Sequence, residues 1–184
     1  GCGSSDPDLE DDDGRFESES ESESPEGAND NQESNQNIDC DADWENHGSE
    51  TCMPREIRCG DTITARIGDG NSFFDDEIYV SKFCGTHDDY RGAEAIYTLQ
   101  LPERTEANLR LNTPCADLDL VALRWEETNE CPQISDRITT CEMDQRRTTP
   151  EIKIQTIDRA ERHLIVVDGA SGVDGVFQLS VTCP

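Results

Sequence analysis

From Thr62 onward the apolar residues of this chain fall largely at every second position. In Thr62–Ile67, Ile63, Ala65 and Ile67 share one face while Thr62, Thr64 and Arg66 share the other. Ala107–Asn112 and Val176–Thr182 alternate in the same way, and Ile152–Ile154 is a shorter case. A period of two sends successive side chains to opposite faces, so each segment predicts a strand with one wet face. Two runs are apolar on both faces, Leu118 to Trp125 and Leu164 to Val167. They predict strands that lie centrally in a sheet and are covered on both sides. Turn signals separate these segments: Gly68-Asp69-Gly70-Asn71, Asn112-Thr113-Pro114, Thr149-Pro150, and the stretch from Asp168-Gly169 to Asp174-Gly175. Short strands punctuated by such turns predict an all-β fold, an antiparallel, jelly-roll-like β-sandwich. No segment shows the periodicity of an amphipathic helix.

Composition divides the chain. Residues 1–36 carry thirteen Asp or Glu against Arg15 alone, with Leu9 and Phe16 as the large apolar residues. Such a stretch cannot bury enough apolar surface to offset the entropy of ordering, and is expected to be a disordered tail. Its Glu-Ser alternation from Glu17 to Ser24 repels itself and reads as an extended spacer. The expected organisation is therefore a linker over 1–36, an acidic, cysteine-containing lead-in over 37–56, and a sandwich over 57–184.

Nine cysteines in 184 residues, with no zinc or haem spacing among them, point to disulfides and so to an oxidising compartment. With aromatic residues at only 5 %, the core is expected to rest on aliphatic side chains and on these covalent staples. Sequence proximity and strand order favour Cys40–Cys52, Cys59–Cys183, Cys84–Cys115 and Cys131–Cys141. Cys2 is left over. The run Gly1-Cys2-Gly3-Ser4-Ser5 resembles the cleavage region of a bacterial lipoprotein, which implies a lipidated Cys2; a thiol that pairs between chains is the alternative. No segment approaches the roughly 20 apolar residues of a spanning helix, so attachment to a membrane is expected through lipid only.

A net charge of −27 excludes nucleic acid as a partner, because phosphate backbones demand clustered Lys and Arg. It is compatible with a cation such as Ca²⁺, which takes oxygen ligands from carboxylates and carbonyls. Asp39, Asp41, Asp43, Glu45 and Glu50 stand at positions 1, 3, 5, 7 and 12 of a loop, the EF-hand ligand spacing, although Trp44 occupies the position that needs Gly. The loop is thus either a Ca²⁺ site or an acidic continuation of the linker. Asp117 and Asp119 lie two apart on one strand face, where a cation could join them to the loop from Asp168 to Asp174. The alternative there is a solvated strand edge and a tight hairpin. Nucleophile-elbow, zincin, P-loop and dinucleotide motifs are absent from the sequence. The three histidines, His47, His87 and His163, read as ordinary loop or surface residues.

Three segments, in order, resemble the bacterial pre-peptidase C-terminal domain. They are Gly92-Ala93-Glu94-Ala95-Ile96-Tyr97-Thr98-Leu99; Cys115-Ala116-Asp117-Leu118-Asp119-Leu120; and Leu164-Ile165-Val166-Val167-Asp168-Gly169 followed by Gly175-Val176-Phe177-Gln178-Leu179-Ser180-Val181, similar to the family's closing hairpin. The segments lie between Gly92 and Val181, and the resemblance is taken to cover residues from about 57 to 184. Where the family commonly carries two aromatics before the last segment, this chain has His163 and Leu164. The resemblance implies a module that accompanies secreted proteases or sits on a cell surface, with relatives that bind collagen or calcium, and it brings no catalytic machinery.

The expectation is a non-catalytic lipoprotein, at a bacterial outer membrane or cell surface or otherwise extracellular or periplasmic, whose sandwich binds a protein or polysaccharide partner. An accessory domain of a secreted hydrolase and a structural subunit of a surface assembly are the alternatives. Mass spectrometry of the native amino terminus is expected to find a diacylglyceryl group on Cys2, whereas an unmodified thiol would remove the lipid anchor.

Overall fold

In the computed structural model, which describes residues 37–52, 55–85, 89–128, 130–145 and 149–184, the two runs apolar on both faces are neighbours in one sheet. β5 (Leu118–Arg124) and β8 (Glu161–Gly169) pair antiparallel, with Leu120 opposite Val167 and Leu123 opposite Leu164. β3 (Ala95–Leu101) lies along the other side of β8, and β6 (Cys141–Asp144) along the outer side of β5. β1 (Arg55–Ile57) adds to β3 in parallel, giving the order β1-β3-β8-β5-β6. The second sheet is antiparallel throughout. It comprises β2 (Thr62–Ile67), β9 (Gly175–Thr182), β4 (Glu106–Asn112) and β7 (Glu151–Gln155), in the order β2-β9-β4-β7.

The alternating strands supply one wall of the core between the sheets. Ala65 and Ile67, Leu109 and Leu111, Ile152 and Ile154, and Phe177, Leu179 and Val181 face inward, opposite Tyr97, Leu99, Leu120, Ile165 and Val167. The other face of the five-stranded sheet is equally apolar, through Ile96, Val121, Leu123, Leu164 and Val166. A sheet apolar on both faces needs a second cover, and chain outside the ladders provides it. Phe74, Tyr79, Phe83 and Tyr90 from one excursion, and Trp125 from another, close over these residues. Phe74 and Phe83 meet edge-on with centroids 4.6 Å apart, and the rings of Tyr79 and Tyr90 stack at 3.9 Å. Most of the chain's few aromatics are therefore concentrated in this outer core, while the core between the sheets is mainly aliphatic.

Two features differ from the expectations. The excursion contains a helix, α1 (Asp76–Ser81), started by Asp75, whose Oδ1 accepts the Ile78 N–H at 3.0 Å. At six residues it is too short to leave a periodicity in the sequence. The expected closing hairpin is also not one. β8 belongs to the five-stranded sheet and β9 to the four-stranded sheet, so residues 170–174 carry the chain from one layer to the other. Gly175 is required at the end of that crossing, because a Cβ there would lie 2.2 Å from the Cβ of Ala116.

All eight cysteines from Cys40 to Cys183 are paired, but of the four expected pairings only Cys59–Cys183 is formed. The others are Cys40–Cys115, Cys52–Cys131 and Cys84–Cys141 rather than Cys40–Cys52, Cys84–Cys115 and Cys131–Cys141. Short sequence separations misled because these bonds fasten covering segments to distant parts of the fold. Cys84 follows α1 and reaches Cys141 at the start of β6, and Cys52 of the lead-in reaches the excursion after β5. The lead-in is also hydrogen-bonded into the sandwich: His47 N–H donates to Arg66 O at 2.7 Å, and Ser49 Oγ accepts from Ile96 N–H at 3.0 Å. Peptide mapping without reduction is expected to return the four pairings Cys40–Cys115, Cys52–Cys131, Cys59–Cys183 and Cys84–Cys141. Replacing Cys59 and Cys183 together with Ser should lower the unfolding free energy in urea by about 2–5 kcal/mol.

Candidate functional site

Two places in the fold gather polar chemistry. The first is a row of three carboxylates on the outer face of the five-stranded sheet. Asp119 of β5 stands opposite Asp168 of β8, and the Ala95–Val167 register puts Glu94, just before β3, beside Asp168 on its other side. Strand alternation turns all three toward the covering segment, with Ile96, Val121 and Val166. Glu94 and Asp168 are fully buried. Glu94 accepts the backbone N–H of Phe73 at 2.8 Å and of Phe74 at 2.9 Å. Asp168 accepts the Tyr79 hydroxyl and the N–H of Gly169, the latter at 2.6 Å. The Tyr90 hydroxyl donates to Asp119 at 2.7 Å and accepts from the Gln145 amide, while Tyr90 N–H donates to Asp76 at 2.7 Å. Each carboxylate thus pins one part of the cover to the sheet. Burial, together with the charge of Asp168, pushes Glu94 up to about 8, and burial pushes Asp168 up to about 7. Burial and the charge of Asp168 also hold the Tyr79 hydroxyl well above its ordinary range, so it remains a donor.

Among the residues proposed from sequence as cation ligands, Asp119 and Asp168 stand side by side. Asp39, Asp41, Asp43, Glu45 and Glu50 are all exposed, and the Trp44 indole N–H donates to Asp39 O at 2.8 Å across the loop. Asp174 forms a two-pronged ion pair with Arg66, with Nε–Oδ1 at 2.6 Å. Asp117 is exposed, whereas Asp119 and Asp168 are taken up by Tyr90 and Tyr79. Among the described residues no group of three or more His, Cys, Asp or Glu side chains is placed to hold a metal ion. Cys2 and His87 lie outside the described residues. The other two histidines are not surface residues. His47 is buried with Nδ1 2.7 Å from the Tyr97 hydroxyl, and His163 is only 3 % exposed.

The second place is a cleft of about 600 Å³ near one end of the sandwich, lined from β5, β6, β7, the β7–β8 connection and the start of β8. Glu161 is the centre of its charge pattern. Its carboxylate meets Arg124 at 3.1 Å and Arg159 at 3.7 Å, and lies 3.9 Å from His163 Nε2. His163 Nδ1 is buried without a hydrogen-bond partner, and burial lowers the pKa of the ring, which favours neutral imidazole. Ile157 stands 74 % exposed among the lining residues. Sequence reading brought Asp119 and Asp168 together only as cation ligands, and missed Glu94 and the whole of the second place. The second left no local signal, because its lining comes from strands distant in the chain.

No family model matches the chain, and no curated protein matches it. Among solved structures it is similar to the pre-peptidase C-terminal domain of collagenase from Bacillus anthracis, at 11 % identity and a TM-score of 0.42, over 70 % of this chain and 93 % of that one. It is also similar to CorA, a surface-associated copper-binding protein of Methylomicrobium album BG8, at 7 % identity and a TM-score of 0.43, over 74 % and 100 % of the two chains. Similarity of this degree transfers neither ligand nor activity.

The carboxylate row makes stability depend on pH. A carboxyl group whose folded pKa is raised holds a proton that the unfolded chain has released, so its contribution is fully present below about pH 4 and is lost as pH rises through the folded value. Buried His47 and His163, both lowered by desolvation, act the other way as pH falls below about 6.5. Above that point the carboxylates dominate, and the melting temperature is expected to fall between about pH 6.5 and 8.5. Asp168→Asn should flatten this fall. Tyr79→Phe, which strips a buried carboxylate of its hydroxyl partner, should cost about 1–3 kcal/mol in chemical denaturation.

Proposed function

We propose that this chain is an exported, non-catalytic binding module that engages its partner at the cleft near the end of the sandwich. The observation that carries the reading is the cleft itself, which sets the exposed Ile157 side chain among charges of both signs. Its volume falls within the roughly 300–1,000 Å³ of ligand pockets. Four disulfides support an oxidising compartment. In this reading residues 1–36 act as a spacer and a lipidated Cys2 as its anchor, so that the sandwich is held clear of a membrane. An accessory role beside a secreted hydrolase is the second reading. It is favoured by the three segments that resemble the pre-peptidase C-terminal domain, which form β3, the approach to β5 with its first residues, and β8 with β9.

The test uses the full chain, presented to proteins and polysaccharides from a bacterial surface and medium. Lys153→Glu combined with Ile157→Asp, both at exposed cleft positions, is expected to weaken capture at least about tenfold, with the melting temperature unchanged. Turnover on a protease or glycosidase panel, or capture indifferent to the double substitution, would overturn the reading.

A further inference from the structure

The segment that carries α1 is fastened over the five-stranded sheet in two ways. Glu94, Asp168 and Asp119 hold it through hydrogen bonds, and Cys84–Cys141 holds it covalently. Cys84 sits where the chain doubles back past the end of α1. The N–H groups of Phe83 and Gly85, on its two sides, both donate to Tyr79 O, at 3.2 and 3.0 Å. This reversal puts Cys84 at φ 55°, in the left-handed region that glycine ordinarily supplies at a helix end. A residue with a Cβ is strained there. None of the other seven paired cysteines has a positive φ. Cys84 is also exposed, and Cys141 opens β6, the edge strand of its sheet, so the bond can be approached from the side. Cys40 and Cys59 are exposed as well but lack the left-handed backbone, and Cys131 is buried. Exposed, strained disulfides are the most readily reduced, because a thiolate can reach a sulfur and opening the bond lets the backbone relax.

We propose that Cys84–Cys141 is a reducible latch, which a dithiol opens ahead of the other three disulfides to release the segment that carries α1. One thiolate of the reductant attacks Cys84 Sγ, forms a mixed disulfide and displaces Cys141 as a thiolate, which takes a proton from water. The second thiolate of the reductant then attacks the reductant's own sulfur in the mixed disulfide and displaces Cys84, which is protonated in turn. The reductant leaves as a disulfide, and the chain has gained two electrons and two protons. Thereafter the segment is held by the carboxylates, by Lys82 Nζ, which donates to Asp136 O at 2.6 Å, and by the packing of its aromatic rings. It parts from the sheet more often and uncovers apolar residues such as Ile96, Val121 and Val166. The excursion after β5 stays fastened by Cys52–Cys131, and the core between the sheets is left intact.

The test treats the full, oxidised chain with increasing dithiothreitol at neutral pH, quenches with acid, alkylates the free thiols and maps the peptides. Cys84 and Cys141 are expected to be alkylated together, at a reductant concentration at least about tenfold below that needed for any other pair. At that stage the amides of Phe73, Phe74, Tyr79 and Phe83 should exchange with deuterium at least about tenfold faster than in the oxidised chain, with those of β4 and β9 unchanged. Cys84→Ser combined with Cys141→Ser should show the same fast exchange without reductant. Earlier or simultaneous reduction of another disulfide would overturn the proposal. So would exchange at the oxidised rate in α1 and its flanks once Cys84–Cys141 is open. Faster exchange throughout the chain at that stage would mean unfolding rather than release, and would overturn it too. If the double variant does not fold, the reductant series on the parent chain decides alone.

Discussion

The structure depends on three adjacent strands, β3, β8 and β5, that are apolar on both faces. One face is covered by a regular sheet, whose alternating strands interdigitate with it at little cost in specialised chemistry. The other is covered by irregular chain containing one short helix. Irregular segments bring few backbone ladders of their own, so they must be held by other means. Two disulfides, Cys52–Cys131 and Cys84–Cys141, tie this cover down, and most of the aromatic residues pack here, whereas the first core has Tyr97 and Phe177 alone.

The row of Glu94, Asp168 and Asp119 follows from the same need. A buried backbone N–H or tyrosine hydroxyl in the cover requires an acceptor, and carboxylates on β5, on β8 and just before β3 provide a line of them. Setting such groups side by side in an apolar layer disfavours their ionisation, through desolvation and mutual repulsion. What holds the cover in place is therefore also what titrates. This separates the row from the acids of the 39–50 loop, which are exposed to solvent.

The cleft arises where the paired layers run out. Near this end the inward-facing positions of β5 and β8 change from Leu120, Ile165 and Val167 to Arg124, Glu161 and His163. The apolar core thereby gives way to a charged one without a break in strand alternation. In a chain of net charge −27, three cations collected around one lining form an uncommon local balance.

The elements were largely legible in the sequence because they are set by local alternation. β2, β4, β7 and β9 stand where the period of two placed them, and the runs at Leu118 and Leu164 are the inner strands expected. α1 was not legible, since six residues are too few to show a helical period. Cys59–Cys183 could be inferred because these cysteines flank the first alternating strand and the last, which pair as β2 and β9. The other three bonds join irregular segments whose positions no local pattern encodes. The carboxylate row and the cleft were hidden for the same reason. Asp119 and Asp168 are neighbours only by strand register, Glu94 joins them from the residue just before a third strand, and His163 is buried only once the sheet surrounds it. Strand, face and turn were thus determined by residues adjacent in sequence, where sterics and alternation act. Which polar groups meet was decided only by the tertiary structure, because burial and register are properties of strands distant in the chain.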